Sequence, residues 1–279
     1  MDIMEHNALP IILCCLSVIV LGLTIKINVM AKVKGLVKFL GTLDDLTFYK
    51  TQDGNLVKTK GGVSKARIAT DPNFLRTREN GAEFGSAASA GKLLRSAVRS
   101  LMMVASDNRV TSRVTKLMTL IKDYDTTSAR GARNVGVAIS ASAAKTQMIG
   151  FNFNIGAILS AILVKPYAVN TTTGVITIAS LTPLNDIAYP AGATHVTITG
   201  AWVRINFVAN TTVIEFTNAV NLPLNTTASA VTLTPTAVPA GSTGTNIFLI
   251  AVEFFQLVNS VQYVLSNGSY NALGIIDVV

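Results

Sequence analysis

Cysteine, histidine and tryptophan are scarce: the 279 residues include two cysteines, two histidines and one tryptophan. The cysteines are adjacent, at Cys14 and Cys15, which excludes a disulfide framework and a cysteine-rich metal site. His195 has no second histidine or cysteine in its half of the chain with which to share a metal. We therefore predict neither a metal site nor a cofactor.

Motifs that carry catalysis are also missing. Gly-Lys occurs only at Gly91-Lys92 and is followed by leucine, so there is no Walker loop, and no Gly-x-Gly-x-x-Gly, His-Glu-x-x-His or Gly-x-Ser-x-Gly pattern is present. Asp123 and Asp125 lack the third ligand and the bidentate glutamate of a calcium loop. The sequence therefore favours a protein that is not an enzyme and has no catalytic residues.

Charge is distributed unevenly along the chain, whose formal net charge is +8. Residues 31–145 hold 20 basic and 9 acidic residues, whereas residues 146–279 hold only Lys165 and Arg204 against four acids. Such asymmetry indicates modules with different partners. We divide the chain into an apolar leader or upstream extension (1–29), a basic β-ribbon and helical module (30–145) and a neutral module (146–279).

The leader contains a nearly continuous apolar run from Leu9 to Leu23. This run is short for a membrane span, and acids instead of the positive charges of a secretion signal precede it. Met30-Ala-Lys resembles a natural start, so we interpret residues 1–29 as an upstream extension, with a membrane anchor of reversed orientation as the alternative. A start at Met30 predicts a cytoplasmic protein, whereas the function inferred below favours an assembly at the cell surface or outside the cell.

The basic module begins with short strands and continues with helices. Asp53-Gly54 is a strong signal for a two-residue turn, and the lysines of the ribbon are expected to face solvent or an anionic partner. Asp71-Pro72 predicts the start of a helix that runs to residues 84–85. Apolar residues spaced three and four apart predict a second helix over residues 86–105 and a third over 109–122.

Basic residues line the faces opposite these apolar stripes and continue into the next loop. They are our candidate residues for contact with an anion or another subunit: Lys92, Arg95, Arg99, Arg109, Arg113, Lys116, Arg130 and Arg133. Stripes of cations displace counterions from phosphates, so a nucleic-acid surface is one interpretation, though not the favoured one. Solvated helix faces and contacts with acidic residues of another subunit are the alternatives.

The neutral module is rich in Thr, Val, Asn and Ala and contains runs with a two-residue period. Such alternation places apolar groups on one face of a strand and hydroxyls on the other. The runs start at residues 161, 174, 195, 212, 230, 247, 261 and 272. They predict an antiparallel β-sandwich, so the fold class of the whole chain is α+β.

A family resemblance rests on two segments. The first is Lys34-Gly-Leu-Val-Lys-Phe-Leu-Gly-Thr-Leu-Asp-Asp-Leu-Thr-Phe-Tyr-Lys-Thr-Gln-Asp-Gly with Lys60-Gly-Gly-Val, and the second is Asp71-Pro-Asn-Phe-Leu-Arg-Thr-Arg-Glu-Asn-Gly-Ala-Glu-Phe-Gly. Over residues 30–279 the chain resembles a family of uncharacterised proteins common in Bacteroidota. The resemblance implies a start near Met30 and assigns no activity and no site residues.

Three functions follow from these observations. The first is a non-catalytic structural subunit that self-assembles into a filament, tube or shell, because a sandwich with so little charge leaves its edges and faces weakly protected against pairing. Its partners would be copies of itself, through the sandwich and the basic module. The alternatives are a nucleic-acid-binding or virion-like protein that uses the basic helices, and a surface adhesin. A membrane is a partner only if residues 1–29 are translated and retained.

Overall fold

The computed structural model describes residues 30–32, 39–52, 54–59, 62–241, 243–265 and 268–279. The leader, including the run from Leu9 to Leu23, lies outside these residues. The chain divides into two compact units between Lys65 and Ala66. The predicted limit between residues 145 and 146 falls within the second unit.

The first unit contains a four-stranded antiparallel sheet with the order β1-β4-β3-β2. Its strands are β1 (Met30–Lys32), β2 (Gly41–Leu43), β3 (Leu46–Thr51) and β4 (Gly54–Thr59). Thr51 lies opposite Gly54, so the β3–β4 turn comes just before Gly54; Asp53 is outside the described residues. Lys50 and Lys58 are exposed, as predicted.

The helices of the described residues are mostly short. They are α1 (Lys65–Thr70), α2 (Leu75–Ala97), α3 (Arg99–Met102), α4 (Val110–Lys122), α5 (Val135–Ala138), α6 (Ser142–Thr146), α7 (Leu159–Ile162) and α8 (Pro183–Asp186). The cap at Asp71 is confirmed, since its side chain accepts a hydrogen bond from the backbone of Asn73 at the start of a 3-10 turn. The third predicted helix is confirmed as α4.

The predicted break between two helices near residue 85 is wrong, because α2 runs through it. A Cβ at Gly81 or Gly85 would meet nothing within 4 Å, so no close neighbour requires glycine at these positions. Each costs about 1 kcal/mol of helix propensity, which packing of the other face outweighs. The helix ends instead at Ala97, because the φ and ψ of the next residue, Val98, are −100° and 18° and leave the helical region.

A five-stranded antiparallel sheet forms the centre of the second unit, in the order β11-β10-β7-β8, with β12 also paired to β10. The strands are β7 (His195–Asn206), β8 (Thr211–Pro223), β10 (Thr245–Val258), β11 (Val261–Val264) and β12 (Ala272–Val278). Helices cover one face of this sheet, and a three-stranded sheet covers the other. The smaller sheet has the order β5-β6-β9 and consists of β5 (Ala168–Val169), β6 (Ile176–Leu181) and β9 (Ser229–Leu233).

The central strands β7 and β10 are buried on both faces. Val203 and Leu249 join the core shared with α2 and α4, whereas Ile198 and Phe248 join the core shared with β6 and β9. Two-sided burial explains why β10 is almost continuously apolar. The basic helices and the neutral strands are therefore consecutive layers of one packed unit.

The strand predicted from residue 161 is wrong in its first part. Ser160 to Ile162 lie in the single turn α7, and only Ala168 and Val169 pair with β6. A short apolar run buried among other elements does not distinguish a strand from a helix. Pro166 also has no N–H to donate to a sheet ladder.

The mixed helix and strand composition and the antiparallel sheets of the predicted α+β class are confirmed. Within the described residues, no helix combines the length and the apolar character that a membrane span requires.

Candidate interface

Arg113 joins distant parts of the second unit and is not a free cation. Its guanidinium donates hydrogen bonds to the backbone oxygens of Asn152 (2.6 Å) and Phe153 (2.9 Å) and pairs with Asp107. It also lies 5.3 Å from the ring centre of Phe151. Arg113 therefore holds the segment 151–153 against the start of α4.

Two more of the predicted basic residues contact groups of the same unit, and a third is partly buried in it. Arg95 on α2 donates a hydrogen bond to the Thr111 hydroxyl on α4 at 2.6 Å. Arg130 lies 3.4 Å from a carboxylate oxygen of Glu79. Arg133 is half-buried, and its Nε lies inside the protein without a hydrogen bond among the described residues. These contacts bind the helices and the following loop to each other.

The remaining four predicted residues are exposed. Arg109 stands at the start of α4, where its backbone N–H donates to Asp107 at 2.7 Å. The side chains of Lys92, Arg99 and Lys116 are exposed and form no ion pair with a described residue. Of the eight candidate cations, these three remain available for a partner in the part of the chain that the structure describes.

A buried carboxylate, Asp125, organises the loop after α4. It is 1% exposed and accepts hydrogen bonds from the backbone N–H groups of Thr127 (3.2 Å), Ser128 (2.9 Å) and Asn134 (3.1 Å). Burial opposes its ionisation, but hydrogen bonds from Ser128, Asn134 and Thr127 outweigh burial and hold the pKa of Asp125 well below its usual range. Asp125 is therefore a charged anchor of the loop.

Glu83 on α2 anchors the same loop from the other side. It accepts hydrogen bonds from Lys122 Nζ at 2.7 Å and from the Gly131 N–H at 2.8 Å. The hydrogen bond from Lys122 lowers the pKa of Glu83 most, and the bond from Gly131 adds to it. The carboxylates that sequence analysis considered for calcium thus serve structure: Asp125 binds backbone, and Asp123 pairs with Lys122. The described residues contain no cluster of side chains suited to a metal ion.

An apolar groove of about 500 Å³ lies on the outer side of α2 and α4. Phe84 and Leu120 are exposed at this groove. Thr115 and Thr119 donate their hydroxyls to backbone oxygens one helical turn earlier, both at 2.9 Å. Because these hydroxyls are bonded to the helix backbone, the two threonines contribute their methyl groups to the apolar surface of the groove.

A continuous group of exposed apolar residues lies at the hairpin formed by the end of β10 and β11. We call residues 256–264 the terminal hairpin. Its turn is Asn259-Ser260, with φ values of 49° and 63°, which suit a two-residue turn between antiparallel strands. Its exposed apolar side chains are Leu257 (42%), Val258 (43%), Val261 (51%), Tyr263 (57%) and Val264 (49%).

The sequence predicts a strand from Ile247 to Phe255 and another from Val261 to Leu265, but it predicts neither the extension of β10 to Val258 nor a site at the terminal hairpin. One signal was available: the segment from Phe254 to Leu265 contains no charged residue and has apolar residues at both odd and even positions of β11. Such a pattern predicts burial on both faces of a strand. Only the structure shows that neither face of β11 is buried.

Comparison with protein-family models, with curated proteins and with solved structures finds no match to the chain. The resemblance to a Bacteroidota family stays a prediction.

Proposed function

We propose that the protein is a non-catalytic structural subunit that assembles with copies of itself into a filament, tube or shell. In this proposal the five-stranded and three-stranded sheets act as the two layers of the β-sandwich expected from the sequence. The sandwich supplies the principal contact between subunits, and the exposed part of the basic helices supplies a further one.

One observation carries this proposal: the terminal hairpin exposes five large apolar side chains and no charge. Soluble monomers seldom expose contiguous apolar surface on a regular element, and they protect sheet edges with charge, proline or a covering segment. Residues 256–264 contain neither a charged residue nor a proline. Contact with another subunit would remove this surface from water, at about 25 cal/mol per Å² of apolar area.

The layered packing gives further support, since it provides a rigid base for such a contact. The apolar side chains of β7 and β10 fill both faces of the large sheet, and the hairpin extends directly from β10. A preorganised strand loses little conformational entropy when it binds, which favours association.

Sedimentation velocity and negative-stain electron microscopy of the purified full chain test the proposal over a range of concentrations. We expect ordered assemblies that grow with protein concentration and are strengthened by sulfate, because sulfate favours burial of apolar surface. A species that stays monomeric at the highest attainable concentration, with or without sulfate, contradicts the proposal.

The second candidate, nucleic-acid binding, is supported by Lys92, Arg99 and Lys116, which are exposed and without an ion pair among the described residues. We expect the triple variant Lys92→Glu, Arg99→Glu, Lys116→Glu to lose any binding to a DNA duplex and its salt dependence. Lys50→Glu with Lys58→Glu is the control for a general effect of charge. Arg95 and Arg113, which are also candidate contact residues from the sequence, are unsuitable for this test because their reversal would break internal contacts.

A further inference from the structure

The outer strand of the terminal hairpin, β11, is an open sheet edge. All four of its residues are exposed. The Leu265 N–H donates to the Phe254 oxygen at 2.8 Å, and hydrogen-bonded pairs alternate along an antiparallel ladder. With Gln256 opposite Tyr263 and Phe255 opposite Val264, the backbone groups of Tyr263 face β10 and those of Gln262 and Val264 face outwards. These outward groups have no backbone partner among the described residues.

Other edges of the large sheet are bonded in part by the chain itself. Beside β12, the Ile275 N–H donates to the Phe151 oxygen at 2.9 Å and the Phe153 N–H donates to the Leu273 oxygen at 2.8 Å. Beside β8, the Thr236 N–H donates to the Phe216 oxygen at 3.0 Å. The first half of β8 contains a charge, Glu215, of the kind that protects an edge. The chain thus bonds the middle of β12 and of β8, whereas no backbone segment among the described residues bonds the outer edge of β11.

The shape and chemistry of this edge fit a second copy of itself. Consider a two-fold axis that is perpendicular to the sheet and passes beside Tyr263. It would create two equivalent pairs, in each of which Gln262 of one copy lies opposite Val264 of the other. The outward N–H and C=O groups of these residues would then form four hydrogen bonds. The two Tyr263 residues would face each other as a non-hydrogen-bonded pair, in which opposite side chains approach most closely.

The lack of charge argues for a copy of this chain in preference to a charged partner. Residues 254–265 contain no acidic or basic side chain, so two such strands can approach without repulsion and without burying an unpaired charge. The remaining contacts would join Val261 and Tyr263 of one copy to apolar residues of the other. Aromatic and β-branched residues on neighbouring strands stabilise sheets.

We propose that two copies of the protein pair through β11, antiparallel and with Tyr263 at the two-fold axis, to form one continuous sheet. This inference rests on the proposed function and specifies its first contact. Because a two-fold contact closes on itself, growth beyond the pair requires a second surface.

Sedimentation equilibrium of the full chain tests the pairing through complementary charges. Tyr263→Lys and Tyr263→Glu each place two like charges directly opposite each other, so we expect each variant alone to dimerise about a hundredfold more weakly. An equimolar mixture of the two should recover dimerisation, because the opposed charges now attract. Val208→Lys, at an exposed residue of the β7–β8 turn, is the matched control and should dimerise like the wild type.

A second variant tests the backbone contact and keeps the inference falsifiable. Val264→Pro removes an outward N–H but no bond to β10, and proline is tolerated on edge strands; we expect loss of dimerisation with unchanged circular dichroism. If both Tyr263 variants and Val264→Pro dimerise like the wild type, the β11 interface is wrong while the proposed function stands. A wild type that forms two-fold dimers and nothing larger supports the interface and contradicts the filament, tube or shell.

Discussion

The helical layer and the terminal hairpin use their side chains in opposite ways. In the helical layer, cations that the sequence presents as available for a partner are engaged inside the unit, as Arg113 and Arg95 show. In the hairpin, apolar residues that the sequence presents as core, such as Val261 and Tyr263, are exposed.

The difference shows that residue type alone does not identify an interface. A guanidinium has five donors in a fixed arrangement, so it can join several backbone oxygens within one protein. An apolar strand needs a covering layer, and β11 has none among the described residues, since all four of its residues are exposed. Which residues remain for a partner is therefore decided by packing.

The largest expected effect comes from removing Asp125, the buried carboxylate that anchors the loop of the helical layer. Asp125→Ala leaves three backbone N–H groups without an acceptor, and we expect it to lower the free energy of unfolding by about 3 kcal/mol. Urea denaturation measures the change. The matched control is Asp123→Ala, at an exposed carboxylate, where we expect a change of about 0.5 kcal/mol or less.

Arg113 tests whether a predicted contact residue is structural. Arg113→Met removes hydrogen bonds to two backbone oxygens and leaves Asp107 without its cation. We expect a loss of about 2 kcal/mol in urea denaturation. Arg99→Met, at an exposed residue without an ion pair among the described residues, should change stability by about 0.5 kcal/mol or less. Equal effects of the two variants would contradict the internal role of Arg113.

Acid should weaken the helical layer before it affects the neutral hairpin. The pKa values of Asp125, Glu83 and Asp107 are lowered in the folded protein. Their contribution to stability is therefore complete above the unfolded pKa values of about 4 and is lost as pH falls below them. Thermal unfolding between pH 7 and 2 should show this loss, and Asp125→Asn should reduce its slope. A slope unchanged by Asp125→Asn would contradict the assignment.

The smallest expected effect concerns the stability of the hairpin. Val261→Thr alters a side chain that is 51% exposed, so we expect the free energy of unfolding at low protein concentration to change by about 0.5 kcal/mol or less. Association should weaken measurably in the same variant. The control is Val203→Thr, at a buried residue of β7. In this variant we expect a large loss of stability, measured by urea denaturation, and a smaller direct effect on association.

Local elements could be predicted where one residue pattern dominates. The stripe of Val110, Val114, Leu117 and Ile121 predicted α4, and all four residues are buried. The alternation in residues 195–207 predicted β7, which spans His195–Asn206. Prediction was wrong where local signals conflicted with packing, at Gly85 within α2 and at residues 161–165 before β5.

The candidate site could be predicted only in part. Cation stripes on α2 and α4 are visible in the sequence, but the partners of Arg113 lie 39 and 40 residues away along the chain. No local pattern predicts such a contact. The strand β11 was predicted, whereas the extension of β10 to Val258 and the exposure of both strands were not.

By itself, the sequence determined most local elements, the mixture of helices and antiparallel strands and the uneven distribution of charge, because periodicity and capping act over a few residues. The tertiary structure alone decided which cations are engaged internally, which sheet edges are covered and which apolar strand remains exposed. These properties depend on contacts between residues far apart in the chain, and such contacts exist only once the layers have packed together.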